Sequence, residues 1–379
     1  MTPIYFDTAA TTPLLGEVKE TIIKSLDIYG NPSSLHHHGV TAHKEVEQAR
    51  KQLLKSLGLQ NGQLIFTGGG TEANNLAVFG TARRFQGRGR HIVTTQIEHP
   101  SVLESVRALE RQGWDVTYVP PEPDGNVLPE RVLQAVTSET VLVTMMHVNN
   151  ETGAKLPVEE VGQELMKNRK VLFHVDGIQA FGKLTDSVAF ADLYSMSGHK
   201  IGAPKGIGAL YVRPNLELEP VLYGGGQEGG LRSGTENILG ILAFSTAARV
   251  TRERQSRAYQ HVQKLAQLLA TGLQKIDGCT VVRPREASPY IVSAFFPGLK
   301  GEVLVHAFES QGLFVSTGSA CSTRGGSIKA SHVFLAMGRT KEELGASLRF
   351  SLGSWHTEQD VEQALQVVAE QAKWLQSLG

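Results

Sequence analysis

The chain has 379 residues, with 37 basic and 37 acidic side chains, so its formal net charge is zero. Apolar residues make up 41% of the sequence and charged residues 20%, as in ordinary globular enzymes. This balance excludes a general attraction to nucleic acid or to an anionic membrane, and the length favours one large and one small domain.

The N-terminal residues, MTPIYFDTAATTP, lack the basic region and the apolar run of a signal peptide. No stretch approaches the roughly 20 apolar residues that cross a bilayer. The two cysteines, Cys279 and Cys321, lie far apart and in no CxxC pair, which predicts neither a disulfide framework nor a cysteine metal site. Sparse cysteine is typical of a reducing compartment. We therefore expect a cytoplasmic protein that binds no membrane and no nucleic acid directly.

Short apolar runs alternate with amphipathic stretches between residues 60 and 215. Six of these runs are predicted strands: Gln63–Thr67, His91–Thr95, Asp115–Val119, Val141–Met146, Val171–Val175 and Gly208–Val212. Two helical faces are predicted between them: Val102, Val106 and Leu109, and Val158, Val161 and Leu165. Strands that alternate with helices predict an α/β fold whose mostly parallel sheet is covered on both faces and binds ligands at the carboxyl ends of its strands.

The segment from residue 213 to 235 differs in composition from the strands before it. Its run YGGGQEGGLRSGT is rich in glycine and predicts a loop, and a long helix is expected over residues 236–276. The last third begins with a predicted strand, Tyr290–Phe296, followed by a helix. Thr357 and Asp360 are spaced as in a capping box at the start of a C-terminal helix. This pattern predicts a smaller α+β domain.

Polar motifs follow two of the predicted strands. In FTGGGTEANN, residues 66–75, a strand runs through glycines into a helix, whose free N–H groups favour a phosphate; the alternative is a tight turn. Asp176 follows the run VLFHV, with Gln179 three residues further on. A carboxylate at that place needs a cation or several donors, unless it only caps a helix. Both motifs predict a ligand site at one edge of the sheet.

A lysine and a histidine follow similar runs. Lys200, in SMSGHKIGAPKG, is placed to form a Schiff base with an aldehyde, although a lone lysine is usually a solvated surface residue. Its company favours function, because the glycine turn, Asp176 and Lys200 all stand at strand ends. His99 follows HIVTT and either begins a helix or lies flat against a cofactor. The run His36–His38 has no carboxylate or cysteine beside it and predicts a loop.

Cys321 lies in FVSTGSACSTRGGS, residues 314–327, whose small residues predict an exposed loop. A thiol there acts as a nucleophile when its pKa is lowered; the alternative is an incidental free cysteine. Cys279, beside a predicted strand, fits that alternative better. Arg349 interrupts the strand-like run SLRFSLG, and its fork of donors suits a substrate carboxylate or a structural ion pair.

Together these motifs resemble the class V aminotransferase family of pyridoxal-phosphate enzymes, and more narrowly its NifS/IscS-type cysteine desulfurases of the long-loop group. The ordered set is YFDTAATTP, GNPSSLH, TGGGTEANN, EH, HVNNETG, HVDGIQ, SGHK, RSGTEN, SACS and LRFSLG. The resemblance implies the aspartate-aminotransferase-like fold type I. We expect a large cofactor-binding domain over residues 13–257, and a small domain of residues 1–12 and 258–379 that carries the Cys321 loop and Arg349.

The resemblance also implies roles for residues at the matching positions. Lys200 holds the pyridoxal phosphate covalently, and His99 stacks on its ring. Asp176 pairs with the pyridinium nitrogen, and Gln179 contacts the ring oxygen. Asn150 lies near that oxygen and near the substrate. The resemblance thus implies that Lys200 and His99 are catalytic, together with Cys321.

The remaining implied roles concern the phosphate, the substrate and the oligomer. The phosphate is held by a group of four residues: Gly70, Thr71, Ser197 and His199. Thr235 reaches the phosphate of the partner subunit in a homodimer. Arg349 binds the carboxylate of L-cysteine. Cys321 takes the sulfur as a persulfide, and no resident metal is expected, although Cys321 is placed to ligate an iron–sulfur cluster transiently.

The implied activity is the conversion of L-cysteine to L-alanine, with the sulfur passed from Cys321 to an acceptor protein. The resemblance implies that the acceptor is an iron–sulfur scaffold, a tRNA-thiolation enzyme or another sulfur carrier. The alternatives are a selenocysteine lyase or another class V enzyme, which needs no loop thiol, and a non-catalytic module on the same fold. A nucleotide-binding oxidoreductase is disfavoured because no GxGxxG motif opens a βαβ unit.

Overall fold

The computed structural model describes residues 3–167, 170–317 and 330–378. The strands are β1 (Ile4–Tyr5), β2 (Gln63–Thr67), β3 (His91–Thr95), β4 (Asp115–Val119), β5 (Thr140–Met146), β6 (Leu172–Asp176), β7 (Leu193–Ser197), β8 (Gly208–Val212), β9 (Thr280–Val281), β10 (Ile291–Phe295), β11 (Leu313–Phe314) and β12 (Ser347–Ser351). The helices are α1 (Gly16–Ser25), α2 (His37–Ser56), α3 (Gly70–Phe85), α4 (Pro100–Glu110), α5 (Pro129–Gln134), α6 (Val158–Leu165), α7 (Ile238–Leu273), α8 (Gly301–Ser310), α9 (His332–Ala336), α10 (Lys341–Gly345) and α11 (Glu358–Gln376).

A seven-stranded sheet with the order β2-β8-β7-β6-β5-β3-β4 forms the centre of the molecule. β8 runs antiparallel to both of its neighbours, and the other pairs are parallel. The carboxyl ends of β2, β3, β5, β6 and β7 therefore meet at one edge, which we call the carboxyl edge. The predicted mostly parallel α/β sheet is confirmed.

Both faces of this sheet are buried, because helices cover each of them. Successive side chains of a strand point to opposite faces, so neighbouring residues pack in different layers. Ile92 and Leu142 pack with α3 and α4 on one face. Their strand neighbours Val93 and Val143 pack on the other face, with α2, α6 and the first half of α7. Strands buried on two faces read as continuous apolar runs, which explains why β3 and β5 were predictable from the sequence.

A three-stranded antiparallel sheet, β12-β10-β9, lies in the last third of the chain. It packs with α8, α11 and the second half of α7 around a separate apolar cluster. The N-terminal strand β1 pairs in parallel with β11 and adds Ile4 and Phe6 to that cluster. α7 spans about 54 Å at 1.5 Å per residue and belongs to both cores.

Most predicted elements are confirmed within a residue or two, including the capping box of Thr357 and Asp360. The loop predicted for His36–His38 is wrong: His36 caps α2, accepting from the N–H of Gly39, and the helix begins at His37. β7 was not among the predicted strands, because two serines interrupt the apolar residues of its sequence LYSMS, although all five residues are buried. No helix in the described part of the chain is long and apolar enough to cross a membrane.

Candidate active site

The carboxyl edge gathers the polar residues that end the central strands. Asp176 is the last residue of β6, and Ser197 is the last residue of β7. A single 3-10 turn, Gly198–Lys200, follows β7 and carries Lys200. His99 is the N-cap of α4, four residues after β3 ends. The structure thus brings together the residues that the sequence placed at separate strand ends.

Asp176 is buried, with 4% of its surface exposed, and its carboxylate is held by hydrogen bonds. Asn74 Nδ2 donates to Oδ2 at 2.8 Å, and the backbone N–H of Ile178 donates to Oδ1 at 3.0 Å. Burial raises the pKa of Asp176, and the two donors and the charge of Lys200 oppose this shift. A buried carboxylate whose hydrogen-bond donors are both neutral is suited to receive a cationic group.

His99 is joined to Asp176 through two intermediate side chains. Asn74 Nδ2 also lies 2.8 Å from Ser101 Oγ, and Ser101 Oγ lies 2.8 Å from His99 Nδ1. The backbone N–H of Ser101 donates to the same Nδ1 at 3.1 Å. Burial, then the charge of Lys200, lowers the pKa of His99 to about 4. His99 is therefore a neutral imidazole near neutral pH.

Lys200 and Gln179 converge on the N-terminal segment. Lys200 Nζ donates to the carbonyls of Ala9 at 2.6 Å and Ala10 at 2.9 Å. Gln179 Nε2 donates to the same carbonyl of Ala9 at 2.9 Å. The motif DTAATTP thus contributes main-chain carbonyls to the site, and its side chains make none of these three hydrogen bonds.

The glycine turn after β2 lies beside Ser197, whose Cβ is 3.4 Å from the place of a Cβ at Gly70. Gly69 has φ of 155°, a left-handed value that favours glycine, and α3 begins at the next residue. A Cβ at Gly70 would lie 2.2 Å from Ile178 Cδ1, so a side chain there would require Ile178 to move. Ser197 Oγ is buried without a hydrogen-bond partner among the described residues. Thr71 is exposed beside this turn.

His199 lies on the other side of Lys200. Its Nδ1 is 3.2 Å from Thr11 Oγ1, and burial together with the charge of Lys200 lowers its pKa to about 4. It is therefore a neutral hydrogen-bonding group rather than a counter-charge for a phosphate.

Arg349 reaches the edge from β12 in the other sheet. Its Nη2 donates to Asp7 Oδ1 at 2.8 Å, and its Nη1 donates to the carbonyl of Asn150 at 2.9 Å. Its Nε is buried without a partner among the described residues. Asp7 thus holds Nη2 of Arg349 and the main-chain carbonyl of Asn150 holds Nη1, while Nε remains for a further acceptor.

The sequence interpretation missed Lys183, although it lies four residues after Gln179. Its amine is buried, donates to Gln179 Oε1 at 3.0 Å and lies 5.7 Å from the centre of the Tyr290 ring. Burial, then the charges of Lys200 and Arg349, lowers the pKa of Lys183 to about 7. The segment between Gln179 and Lys183 forms turns and no helix, so no clear local signal in the sequence predicts this contact.

Asn74 and Ser101 were also missed. Asn74 follows Gly70 by four residues on α3, so it projects from the same side of the helix as the glycine turn. Ser101 is the second residue of α4. The sequence around Ser101 does not predict its contact with Asn74, because Asn74 is 27 residues away in the chain.

The loop that carries Thr235 is anchored to the glycine turn at two points. The buried carboxylate of Glu228 accepts from Arg50 at 2.7 Å and from the N–H of Phe66 at 2.9 Å. Arg232 Nε donates to Glu72 at 2.8 Å. Thr235 itself lies exposed on this loop. Glu228 has φ of 50°, an uncommon value outside glycine, which its three hydrogen bonds hold.

Of the two cysteines, Cys321 lies within residues 318–329, outside the described residues. Cys279 lies just before β9 and packs against the apolar cluster of the three-stranded sheet. Burial raises the pKa of Cys279 to about 12, so its thiol stays protonated at neutral pH. This agrees with the interpretation of Cys279 as an unreactive thiol.

The sequence matches the aminotransferase class-V family over residues 4–364. The chain belongs to the class V aminotransferase family. It is 40% identical over 381 residues to the putative cysteine desulfurase IscS 1 of Bacillus subtilis (strain 168), with 99% of this chain and 100% of the relative covered. The resemblance read from the sequence is confirmed.

Solved structures agree with this membership. A NifS-like protein superposes with a TM-score of 0.91 at 35% sequence identity, with 98% of this chain and 100% of that chain covered. The structure described as SspA in complex with cysteine superposes with a TM-score of 0.80 at 32% identity, covering 93% of this chain and all of the other. The fold is therefore the NifS-like fold.

Membership of this family implies a pyridoxal-phosphate cofactor, and the residues of the carboxyl edge fit one. The unpartnered Ser197 Oγ and the N-terminus of α3, cleared of side chains by Gly70, suit a phosphate. The buried carboxylate of Asp176 suits a protonated ring nitrogen, which would lower the cost of its burial. Lys200 stands on the turn between them.

Proposed function

We propose that this chain is a cysteine desulfurase, a sulfurtransferase that converts L-cysteine to L-alanine and leaves the sulfur as a persulfide on Cys321. The observation that carries the proposal is the set of Lys200, Asp176 and His99 at one carboxyl edge, with Arg349 beside it. The cysteine desulfurase names of relatives that match nearly the whole chain support it, as does the neighbour whose structure was solved with cysteine.

Pyridoxal phosphate, when bound, supplies an electron sink for the substrate's α-carbon and sulfur-bearing carbon. Gly70, Thr71, Ser197 and His199 hold its phosphate, and Asp176 keeps its ring nitrogen protonated. Lys200 anchors it covalently, and Gln179 faces its ring oxygen. These assignments follow the chemistry of each donor in the structure and the family motifs at the same positions.

The chain's own groups then bind, orient and move protons. Arg349 holds the substrate carboxylate through the part of its fork that Asp7 leaves available, with Asn150 alongside. The free amine of Lys200 would be the base that takes the α-proton of the substrate. The neutral ring of His99 would hold the cofactor ring by stacking on it.

The sulfur step needs no added oxidant. The Cys321 thiolate attacks the substrate sulfur, the S–S bond forms, and the carbon–sulfur bond breaks with its electron pair left on carbon. That carbon gains a proton, and alanine leaves. One cysteine and one thiol thus become one alanine and one persulfide. The Cys321 persulfide can then pass its sulfur to an acceptor protein, such as an iron–sulfur scaffold or a tRNA-thiolation enzyme.

The domain division expected from the sequence accompanies this proposal. Residues 13–257 build the sheet with the cofactor side chains, and residues 1–12 with 258–379 supply Arg349 and Cys321. The pairing of β1 with β11, and the packing of Phe6 with the second core, support the assignment of the N-terminal residues to the small domain.

We propose that the protein is a homodimer in which Thr235 reaches the phosphate site of the partner subunit. Thr235 is exposed, and so are the large apolar residues Leu222 and Tyr223 on the same segment, at 46% and 72%. Sedimentation equilibrium should give twice the 41.1 kDa mass of the chain. Thr235→Ala should keep that mass and weaken cofactor retention. An active monomer would contradict the assignment.

The deciding experiment exposes the purified holoenzyme briefly to L-cysteine and measures alanine release and protein mass together. Wild type should gain one sulfur atom in the peptide that contains Cys321. Cys321→Ser should retain the visible absorbance of the cofactor and form no persulfide, because a serine hydroxyl is far less ionised and less nucleophilic than a thiol.

Cys279→Ser is the matched control, since it removes the other thiol and should behave as wild type. Sulfur on Cys279, or full alanine release by Cys321→Ser, would refute the role of Cys321. Wild-type cleavage of selenocysteine but not of cysteine would identify a selenocysteine lyase instead.

A further inference from the structure

The side chains between Asp176 and His99 form a continuous hydrogen-bonded path across three elements. Asn74 lies on α3, Ser101 on α4 and Asp176 at the end of β6. Asn74 is fully buried and Ser101 is 8% exposed, so water does not substitute for either contact. The path therefore links the two residues that are proposed to face the cofactor from different directions.

The direction of each hydrogen bond follows from the chemistry of the groups. Asn74 Nδ2 carries two protons; one goes to Asp176 Oδ2 and the other to Ser101 Oγ. Ser101 Oγ thus accepts from Asn74, which leaves its own proton for His99 Nδ1. The backbone N–H of Ser101 also donates to that Nδ1. A ring nitrogen that accepts hydrogen bonds through its lone pair carries no proton of its own. Because both hydrogen bonds at Nδ1 are accepted, the proton of the neutral ring lies on Nε2.

We propose that Asn74 and Ser101 are positioning residues that hold His99 as a neutral imidazole with its proton on Nε2 and tie its orientation to Asp176. The proposal rests on the proposed function for the role of His99, but the state of the ring is a property of this chain. A donor at Nδ1 stabilises the neutral ring, because imidazolium has a proton there and cannot accept.

The charged and titratable neighbours of His99 also favour the uncharged ring or carry no charge themselves. Lys200 and His332 disfavour a positive charge on the ring. Burial raises the pKa of the preceding Glu98 to about 8, so that carboxyl is protonated near neutral pH. Asp176 is the nearby acid that would favour imidazolium, and Asn74 already occupies its Oδ2. Of the two donors to His99 Nδ1, the Ser101 hydroxyl can be removed by a side-chain substitution and the Ser101 backbone N–H cannot.

The test is nitrogen NMR of the holoenzyme labelled at the ring nitrogens of its 13 histidines. The His99 signal is the one that disappears in His99→Gln. Wild type should show a protonated Nε2 and a bare Nδ1, unchanged across the pH range in which an ordinary histidine titrates. Ser101→Ala should keep this tautomer, through the backbone N–H at that position, but raise the pKa of His99 by roughly half to one pH unit, as expected when one hydrogen bond is lost.

Two further variants separate the hydroxyl from general disturbance of α4. Ser101→Thr retains the hydroxyl and should restore the wild-type titration. Ser105→Ala is the matched control, because Ser105 is a buried serine one turn further on whose hydroxyl donates to the Ser101 carbonyl and not to His99. It should leave the His99 signal unchanged. Asn74→Ala should raise the pKa of His99 less than Ser101→Ala does, since the hydroxyl remains.

Activity gives a second readout. Ser101→Ala should lower kcat by about twofold to tenfold, with KM for L-cysteine unchanged, because it alters the ring and not the substrate contacts. A protonated Nδ1 in wild type, or the same His99 titration in Ser101→Ala as in wild type, would overturn the proposal. So would an equal shift in Ser105→Ala. If alanine release is absent throughout while the NMR shifts appear, the proposed function fails and the positioning path stands.

Discussion

The carboxyl edge of the seven-stranded sheet and the core of the three-stranded sheet are both buried, but they bury different chemistry. The core around β10, α8 and α11 consists of apolar side chains such as Phe308 and Phe350. The seven-stranded sheet buries Glu98, His174 and Asp176 among its strands and strand ends. Burial displaces the pKa of each, raising Glu98 to about 8 and lowering His174 to about 3.

The apolar core therefore contributes to the stability of the fold, whereas the buried titratable groups of the carboxyl edge reduce it. Apolar burial contributes favourably with every side chain, whereas a buried titratable group costs free energy unless its partners restore what water supplied. Arg349 is the exception in the three-stranded sheet, and it leaves that sheet to contact Asp7 and Asn150 at the carboxyl edge. We therefore expect substitutions at the edge to change activity more than stability, and substitutions in the apolar core to do the reverse.

The largest effect on activity is expected from Lys200→Ala. It removes both the covalent anchor and the base for the α-proton, so turnover of L-cysteine and the visible absorbance of the cofactor should both be lost. In the cofactor-free protein the free energy of unfolding should fall by only about 1–2 kcal/mol, for the two hydrogen bonds that the free amine donates to Ala9 and Ala10. Alanine release and urea unfolding measure the two effects.

The matched control is Lys205→Ala, five residues further on and exposed, which should resemble wild type in both measurements. Turnover at the wild-type rate in Lys200→Ala would remove Lys200 from the site.

Phe308→Ala probes the apolar core in the opposite sense. Phe308 is fully buried, so its truncation should lower the free energy of unfolding by roughly 3–5 kcal/mol. The folded fraction should keep the cofactor absorbance and kcat of wild type, because the residue lies outside the carboxyl edge. Phe308→Leu should lose much less stability. A loss of kcat at full folding would show that the two regions are coupled.

Lys183→Met is the sharpest test of strain at the edge. A buried amine with a pKa of about 7, against 10.5 when exposed, opposes folding most when it is charged, below pH 7. As pH rises from about 7 to 10.5 the unfolded chain holds more protons than the folded one, so wild-type stability should rise. The variant should be more stable than wild type at pH 7, and this margin should fall by on the order of 4 kcal/mol as the pH rises to 10.5. It should also be less active, because Gln179 loses a donor.

Thermal or urea unfolding at several pH values measures the margin for Lys183→Met. The exposed Lys264→Met serves as the control, with no pH-dependent difference from wild type expected. A constant margin from pH 6 to 11 would mean that Lys183 is not strained by its burial.

Residues at the ends of apolar runs were predictable as site candidates. Asp176, Lys200 and His99 each follow such a run, and the topology of a parallel sheet brings strand ends together without knowledge of any individual contact. The glycines of TGGGTEANN were predictable for the same reason. The assignment of catalytic roles to these residues came from the family resemblance, since a strand-end carboxylate or lysine alone has an ordinary structural explanation.

What the sequence by itself determined is most strands of the central sheet, the helices α4, α6 and α7 and the capped helix α11, because apolar periodicity and capping act over a few residues. Only the tertiary structure decided which distant residues meet. Asn74 contacts Asp176 across 102 residues, and Arg349 pairs with Asp7 across 342. The pKa of Lys183 is displaced by burial and by the charges of Lys200 and Arg349, which are distant from it in the chain. Such contacts depend on how the chain closes its long loops around a common core, and that information is distributed over the whole sequence and absent from any local segment.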